Sequence, residues 1–236
     1  MLVVALAVCL IAIISMSTLA WFSAEDSAKN VFYVTNSDKT EDDIFSVDVT
    51  EFVADDGEEK KPVDGGYEFK DILPGDKLTK QPFVTNTGSY DQFVRVTITV
   101  SDLAAFKNIF GANYETLVRS NFLGNLNVGY SEDENHGNAM QGDLVLDSVV
   151  EDTANDQLVY TLYVREILAP GESVEIFNKT MIPYQLEQAD FVAPSTLSDG
   201  FEINVSAEAI QTENLGDSGE AKATFEYYER FNAIMP

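Results

Sequence analysis

Side chains suited to chemistry are scarce in this chain: one His and one Cys stand among 40 Asp and Glu in 236 residues. A Cys- or His-rich zinc cluster needs several such ligands and a disulfide needs two thiols, so counting excludes both. His136 lies in Ser-Glu-Asp-Glu-Asn-His-Gly-Asn, residues 131–138, a polar loop pattern in which a solvated imidazole is the ordinary state. There is no His-Glu-x-x-His pair to hold zinc and no Gly-x-Ser-x-Gly elbow for a nucleophile. A Ser-His-Asp triad survives counting but has no nucleophile turn, and the carboxylates are too numerous to single out a glycosidase pair. The expectation is a protein with no catalytic residues, and no glycine loop that would cradle phosphate.

Calcium is weighed separately, because Asp and Asn crowd residues 38–43, 55–59 and 131–143. The nearest approach to an EF-hand, Asp133-x-Asn135-x-Gly137, has its Gly at the wrong position and no Glu at the twelfth. Solvated acidic loops without a cofactor are the default, with no metal ligand assigned. Oxygen ligands converging on Ca2+ from separate loops are the alternative.

The acidic excess itself restricts partners. With 14 Lys and Arg, the formal charge is -26, and a surface that repels phosphates excludes nucleic acid as a partner. Hydrophobic residues at 45% and aromatics at 11% nevertheless supply a core, so wholesale disorder is excluded too.

Residues 1–20 carry no charge and run through Leu-Val-Val-Ala-Leu-Ala-Val-Cys-Leu-Ile-Ala-Ile-Ile to Ser-Met-Ser-Thr-Leu-Ala, the outline of a secretory signal peptide cut between Ala20 and Trp21. It lacks a basic n-region, which a misplaced start codon would explain; a retained membrane anchor is the competing reading. Cys9 lies inside the apolar run, away from any lipoprotein cleavage position. Cleavage leaves 216 of the 236 residues, with every charge and no Cys. An exported, thiol-free product fits a Gram-positive bacterium, which has no oxidising periplasm.

Period-2 alternation marks strands at residues 94–100, 158–164 and 201–207, with weaker candidates at 31–34, 45–49, 67–70 and 174–177. Pro-Gly and Asn-Thr-Gly turns separate them. Two of these, Leu-Pro-Gly-Asp at 73–76 and Ala-Pro-Gly-Glu at 169–172, form a weak internal repeat, each preceding a strand on the same side of a sandwich. Apolar residues at helical spacing predict two short helices over 102–122, broken at Gly111, and a terminal helix over 219–231. The fold class read from this pattern is all-β, a β-sandwich with a few short peripheral helices.

Several segments together resemble the TasA/camelysin family of proteins exported through SipW-type signal peptidases. They are the junction Thr18-Leu19-Ala20-Trp21-Phe22 with Asn30-Val31-Phe32, the stretch beginning Leu73-Pro74-Gly75 and ending Asn86-Thr87-Gly88, the turn at Pro170-Gly171, residues 207–211 and residues 221–225. The similarity runs from the leader to the C-terminus, with residues 101–156 resembling an insertion peculiar to this member. It implies a single jelly-roll domain at 35–236, preceded by an N-terminal segment at 21–34, secreted to the cell surface or extracellular matrix as a subunit of biofilm fibres. Its implied partners are a SipW-type signal peptidase, other copies of itself and a related matrix subunit. Camelysins also carry a metallopeptidase label, to which this sequence brings no zinc motif.

The assembly expected on this reading is donor-strand exchange. Phe22, Val31, Phe32 and Val34 mark an N-terminal segment that can extend as a strand and pair with the sheet edge of a neighbour, so that copies add head to tail. Docking of the same segment on its own domain is the competing arrangement. A secreted metallopeptidase and a monomeric surface adhesin are the alternative functions.

Overall fold

The computed structural model describes residues 23–28, 46–52, 59–63, 66–70, 73–128, 142–186, 197, 200–212 and 221–234. Twelve strands lie among them: β1 (Ser23–Ala28), β2 (Val47–Phe52), β3 (Glu59–Val63), β4 (Gly66–Lys70), β5 (Lys77–Leu78), β6 (Gln81–Asn86), β7 (Gln92–Ser101), β8 (Leu144–Asp152), β9 (Gln157–Val164), β10 (Ser173–Glu175), β11 (Thr180–Met181) and β12 (Ile203–Gln211). The helices are α1 (Leu103–Phe110), α2 (Tyr114–Phe122) and α3 (Ala221–Ile234), with a 3-10 turn at Gly111–Asn113. The protein is thus mostly β, and every strand pair is antiparallel. One sheet has the order β1-β12-β7-β9-β8 and a second β10-β6-β2, while β11-β5 and β3-β4 form two-stranded pairs.

A long two-stranded ribbon organises the two larger sheets. Lys77 faces Met181, Leu78 faces Thr180, and Phe83, Val84 and Thr85 face Glu175, Val174 and Ser173. These pairs keep one constant register, so 77–86 and 173–181 run as one antiparallel ribbon. The same register resumes beyond residue 92, where Arg95 faces Tyr163 and Ser101 faces Gln157. One half of the ribbon therefore lies in the three-stranded sheet and the other half in the five-stranded sheet. Val84 and Val174 from the first half share a core with Val96, Ile98, Tyr160 and Leu162 from the second.

The two Pro-Gly turns sit at opposite ends of the first half and repeat each other bond for bond. Asp76 N–H donates to Leu73 O at 3.0 Å and Glu172 N–H to Ala169 O at 2.9 Å, closing each turn. Gly75 and Gly171 adopt φ of 95° and 82°, the left-handed conformation that the third position of such a turn requires. Each glycine N–H donates across the ribbon, Gly75 to Ile182 O and Gly171 to Asn86 O, and the partner's N–H returns a bond to Asp76 O or Glu172 O. The weak sequence repeat is therefore a local two-fold of the ribbon, and both turns lead into strands of that one ribbon.

The segment 101–156 belongs to the same core. Leu103, Phe106, Phe110, Val118 and Phe122 of α1 and α2 are buried with Leu158, Tyr160 and Leu162 of β9. They supply the apolar cover that a three-stranded sheet is too narrow to give a five-stranded one. Helix α1 is not capped by Asp102; Asp156, at the start of the returning strand, accepts Leu103 N–H through its carbonyl at 3.1 Å and Ala104 N–H through its carboxylate at 2.8 Å. Strand β8, which completes the sheet, carries a bulge between Leu146 and Ser148, a feature that blunts an edge against pairing. On the outer face, Ala221 and Phe225 of α3 bury Phe93, Tyr163 and Ile210 in a second small cluster.

Candidate functional site

Among the described residues, strand β1 lies at the edge of the five-stranded sheet on the side away from β8. Its residues pair with β12 from Ser23 opposite Ile210 to Ala28 opposite Val205. Chain and edge are the same molecule's, which is the docked arrangement of the N-terminal segment. Ala24, Asp26 and Ala28 stand in the row of Ala209, Ala207 and Val205, whose side chains are buried. Ser23, Glu25 and Ser27 stand in the outward row. The sequence of β1, Ser-Ala-Glu-Asp-Ser-Ala, holds two alanines and no larger apolar residue, so it has little apolar area to offer. Ordering six residues costs roughly 1–2 kcal/mol each, against about 0.5–1.5 kcal/mol for each backbone hydrogen bond made. The balance is close.

The edge beneath β1 is rigidly held. On the outward face Glu208 of β12 receives Arg95 of β7, whose Nε donates at 2.6 Å. The same guanidinium reaches Glu229 of α3 and lies 4.7 Å from the Phe225 ring centroid. Hydrogen bonds to these carboxylates hold Arg95 protonated beyond its ordinary range, although burial opposes this. Lys222 of α3 pairs with Asp147 at the bulge of β8. Strands β12, β7, β9 and β8 are clamped together by α3, while β1 is joined by register to β12 alone.

Of the residues carrying the family resemblance, Asn86, Thr87, Gly88, Pro170 and Gly171 meet at one end of the ribbon's first half. Asn86 is fully buried and uses its whole side chain: Nδ2 donates to Tyr90 O at 2.8 Å and Leu168 O at 2.7 Å, and Oδ1 accepts Gly88 N–H at 2.9 Å. Thr87 and Gly88 N–H both donate to Ser46 O, and Thr87 Oγ1 lies 2.7 Å from Ser46 Oγ. Pro170 and Gly171 form the turn on the opposing strand. At the far end, Leu73 is exposed, and Pro74 and Gly75 form the matching turn under the 76% exposed Tyr184, whose ring stands where a Cβ on Gly75 would project. These residues thus shape the ribbon and its corner. Ala20, Trp21, Phe22, Val31, Phe32, Val34 and His136 lie outside the described residues, as do acidic positions 38–43, 55–58 and 131–141. Among the described residues no three His, Cys, Asp or Glu side chains are grouped to hold a metal ion.

Two inward charges were not singled out by the sequence. Along β2, Val47, Val49 and Glu51 point inward in alternation, and Lys80 follows Leu78 on the inner side of the ribbon. Glu51 is 7% exposed and Lys80 4%. Neither Glu51 oxygen has a hydrogen-bond partner. Burial pushes the Glu51 carboxyl up to about 8 against the pull of Lys80, and burial lowers Lys80 to about 8 against the pull of Glu51. Lys80 Nζ makes a long hydrogen bond of 3.5 Å to Ile203 O and lies 5.9 Å from the Phe177 ring centroid.

No family model, curated protein or solved structure matches the chain.

Proposed function

We propose that this chain is a secreted structural subunit, a jelly-roll domain that polymerises head to tail into extracellular or cell-surface fibres by exchanging its N-terminal strand. The observation that carries the reading is β1: a strand near the N-terminus, poor in apolar residues, which among the described residues stands at the sheet edge and pairs with β12 alone. The bent ribbon is the support for the jelly-roll assignment, since wrapping a long antiparallel ribbon across two sheets is how that fold is built. The TasA/camelysin resemblance of the leader, Leu73-Pro74-Gly75, Asn86-Thr87-Gly88 and Pro170-Gly171 supports the same class.

The connection permits exchange. Residues 29–46 lie between β1 and β2 and span about 60 Å when extended, against a domain radius of gyration of about 16 Å. A β1 released from one copy can therefore reach the β12 edge of the next. Phe22 on one side and Val31, Phe32 and Val34 on the other add the apolar groups that β1 lacks in sequence, and in an exchanged strand they would pack on the neighbouring copy. Each copy donates one strand and accepts one, a heterologous contact that propagates without closing.

Removing residues 21–34 from a leader-free chain should leave a folded monomer that forms no filaments in electron micrographs. Undiminished fibres from that truncation overturn the mechanism. The charge of -26 makes like subunits repel, so filament growth should accelerate as salt rises or as pH falls toward the isoelectric point near 4.1. Light scattering across a salt and pH series checks this, and growth rates flat in both variables contradict it.

A further inference from the structure

The inward pair of Glu51 and Lys80 lies beneath the exchangeable edge. Strand β12 hydrogen-bonds to β7 on one side, and Glu202 O accepts Ser101 N–H on that side at 2.9 Å. Successive carbonyls along a strand point in opposite directions, so Ile203 O faces the side occupied by β1. Strand β1 ends at Ala28, opposite Val205, and Ile203 O just beyond that end receives Lys80 from the facing sheet. Strand β1 also lies against β2, which carries Glu51 on its inner face. Strand β1 thus packs against the strand on which a carboxyl without a hydrogen-bond partner is buried.

We propose that Glu51 and Lys80 form a pH-sensitive latch under β1, in which loss of the Glu51 proton favours release of β1 for exchange with a second copy of this chain. The consequence for fibres rests on the strand-exchange reading, whereas the latch itself concerns β1 on its own domain. A carboxylate is poorly solvated in this interior, and uncovering β2 gives it water. Docked β1 therefore keeps Glu51 protonated above the ordinary carboxyl range, and its release returns the group toward that range. By linkage, raising the pH from 5 toward 8 favours the released state, in which the group holds its proton less tightly. Lys80, which burial lowers to about 8, keeps its proton through most of this interval and begins to lose it only near pH 8; while charged, it limits the effect by stabilising the carboxylate.

Other charges around the pair occupy different positions. Asp26 of β1 is paired in register with Ala207 of β12. Asp48 of β2 and Glu208 of β12 alternate onto outward rows, Glu175 of β10 accepts Gln81 Nε2 at 3.4 Å, and Lys77 of β5 is exposed. The latch and the overall charge pull in opposite directions: acid relieves repulsion between copies but holds β1 down. Their opposition separates the two effects experimentally.

The test is hydrogen exchange of the Ser23–Ala28 amides in the leader-free chain, kept monomeric by low concentration and expressed as protection relative to the intrinsic rate at each pH. Wild type should lose protection at least about tenfold between pH 5 and pH 8, the direction that linkage requires. Glu51→Gln, which cannot ionise, should show no loss over that range, while Asp26→Asn keeps the wild-type loss. Flat protection in wild type, or an unchanged loss in Glu51→Gln, overturns the latch. If Glu51→Gln fails to fold, Glu51→Leu combined with Lys80→Met takes its place with the same expectation. Absence of filaments under every condition counts against strand exchange and leaves this result standing.

Discussion

Asn86→Leu should destabilise the domain by about 2–4 kcal/mol, because it removes three side-chain hydrogen bonds at once at a fully buried position, although Gly88 N–H keeps Ser46 O and Leu168 O keeps Gln92 N–H. Leu168 O, Tyr90 O and Gly88 N–H all meet the Asn86 carboxamide, and leucine of similar volume gives them nothing in exchange. The affected groups lie on both strands of the ribbon at the corner where it passes between sheets, so the loss falls on the connection between the two halves of the core. Urea unfolding followed by tryptophan-independent circular dichroism measures it, with the change expected in midpoint rather than slope. Asn86→Asp, which keeps an acceptor for Gly88 N–H but turns an acceptor-only oxygen toward the Tyr90 and Leu168 carbonyls, should be at least as destabilising as Asn86→Leu. A loss below 1 kcal/mol for Asn86→Leu contradicts the role given to the corner.

Lys80→Met at pH 8 should cost about 3 kcal/mol, since breaking a buried pair strands the remaining partner, whereas replacing both by Glu51→Leu and Lys80→Met should be neutral or stabilising by about 1–4 kcal/mol. The sign of the pH dependence follows from the two directions. Glu51 is raised from 4.5 to about 8, so its contribution is intact at acid pH and is lost as pH rises from 4.5 to 8. Lys80 is lowered from 10.5 to about 8, so its cost is full below 8 and is lifted between 8 and 10.5. The pair is therefore most unfavourable near pH 8. The stability advantage of the double substitution should peak there and shrink toward pH 5 and toward pH 10. An advantage that grows steadily in one direction across this range contradicts the assignment of the two groups as a coupled buried pair.

Local pattern revealed much of the fold. The alternations at 94–100 and 158–164 lie within β7 and β9, and the apolar spacing over 102–122 becomes α1 and α2, separated at Gly111 by a 3-10 turn. The terminal helix runs from Ala221 to Ile234, a shift from the expected 219–231 at both ends. The strand expected at 201–207 is displaced to Ile203–Gln211, because pairing with β7 extends to Gln92 opposite Gln211. Strand β8 went unread: Leu144–Asp152 interrupts its alternation at the bulge and is rich in acids. Residues 101–156, which resemble an insertion, contribute both a sheet strand and helical core, since burial depends on contacts that sequence spacing does not encode.

The candidate site was legible in outline only. The family resemblance set the N-terminal segment apart from the domain, but its register on β12 is a long-range pairing between residues nearly two hundred positions apart. Glu51 and Lys80 look like surface charges in a strongly acidic chain. Their inward positions show only when Val47-x-Val49-x-Glu51 and Leu78-x-Lys80-x-Pro82-x-Val84 are read as continuous alternations, with a charge standing where the period requires an apolar residue. The two Pro-Gly turns were visible as a repeat, while their relation through one ribbon required both strands to be seen paired.

The most direct test of strand exchange uses the absence of cysteine from residues 21–236. Ala24 of β1 lies opposite Ala209 of β12, and directly opposed antiparallel residues have Cα atoms about 4.5–5.5 Å apart, within the span of a disulfide. A leader-free chain carrying Ala24→Cys and Ala209→Cys is assembled into fibres under reducing conditions, oxidised, and run on a denaturing gel without reductant. Strand exchange predicts a ladder of covalently linked copies that collapses to a single band on reduction. Fibres whose disulfides all lie within single chains, giving only monomer before and after reduction, contradict it.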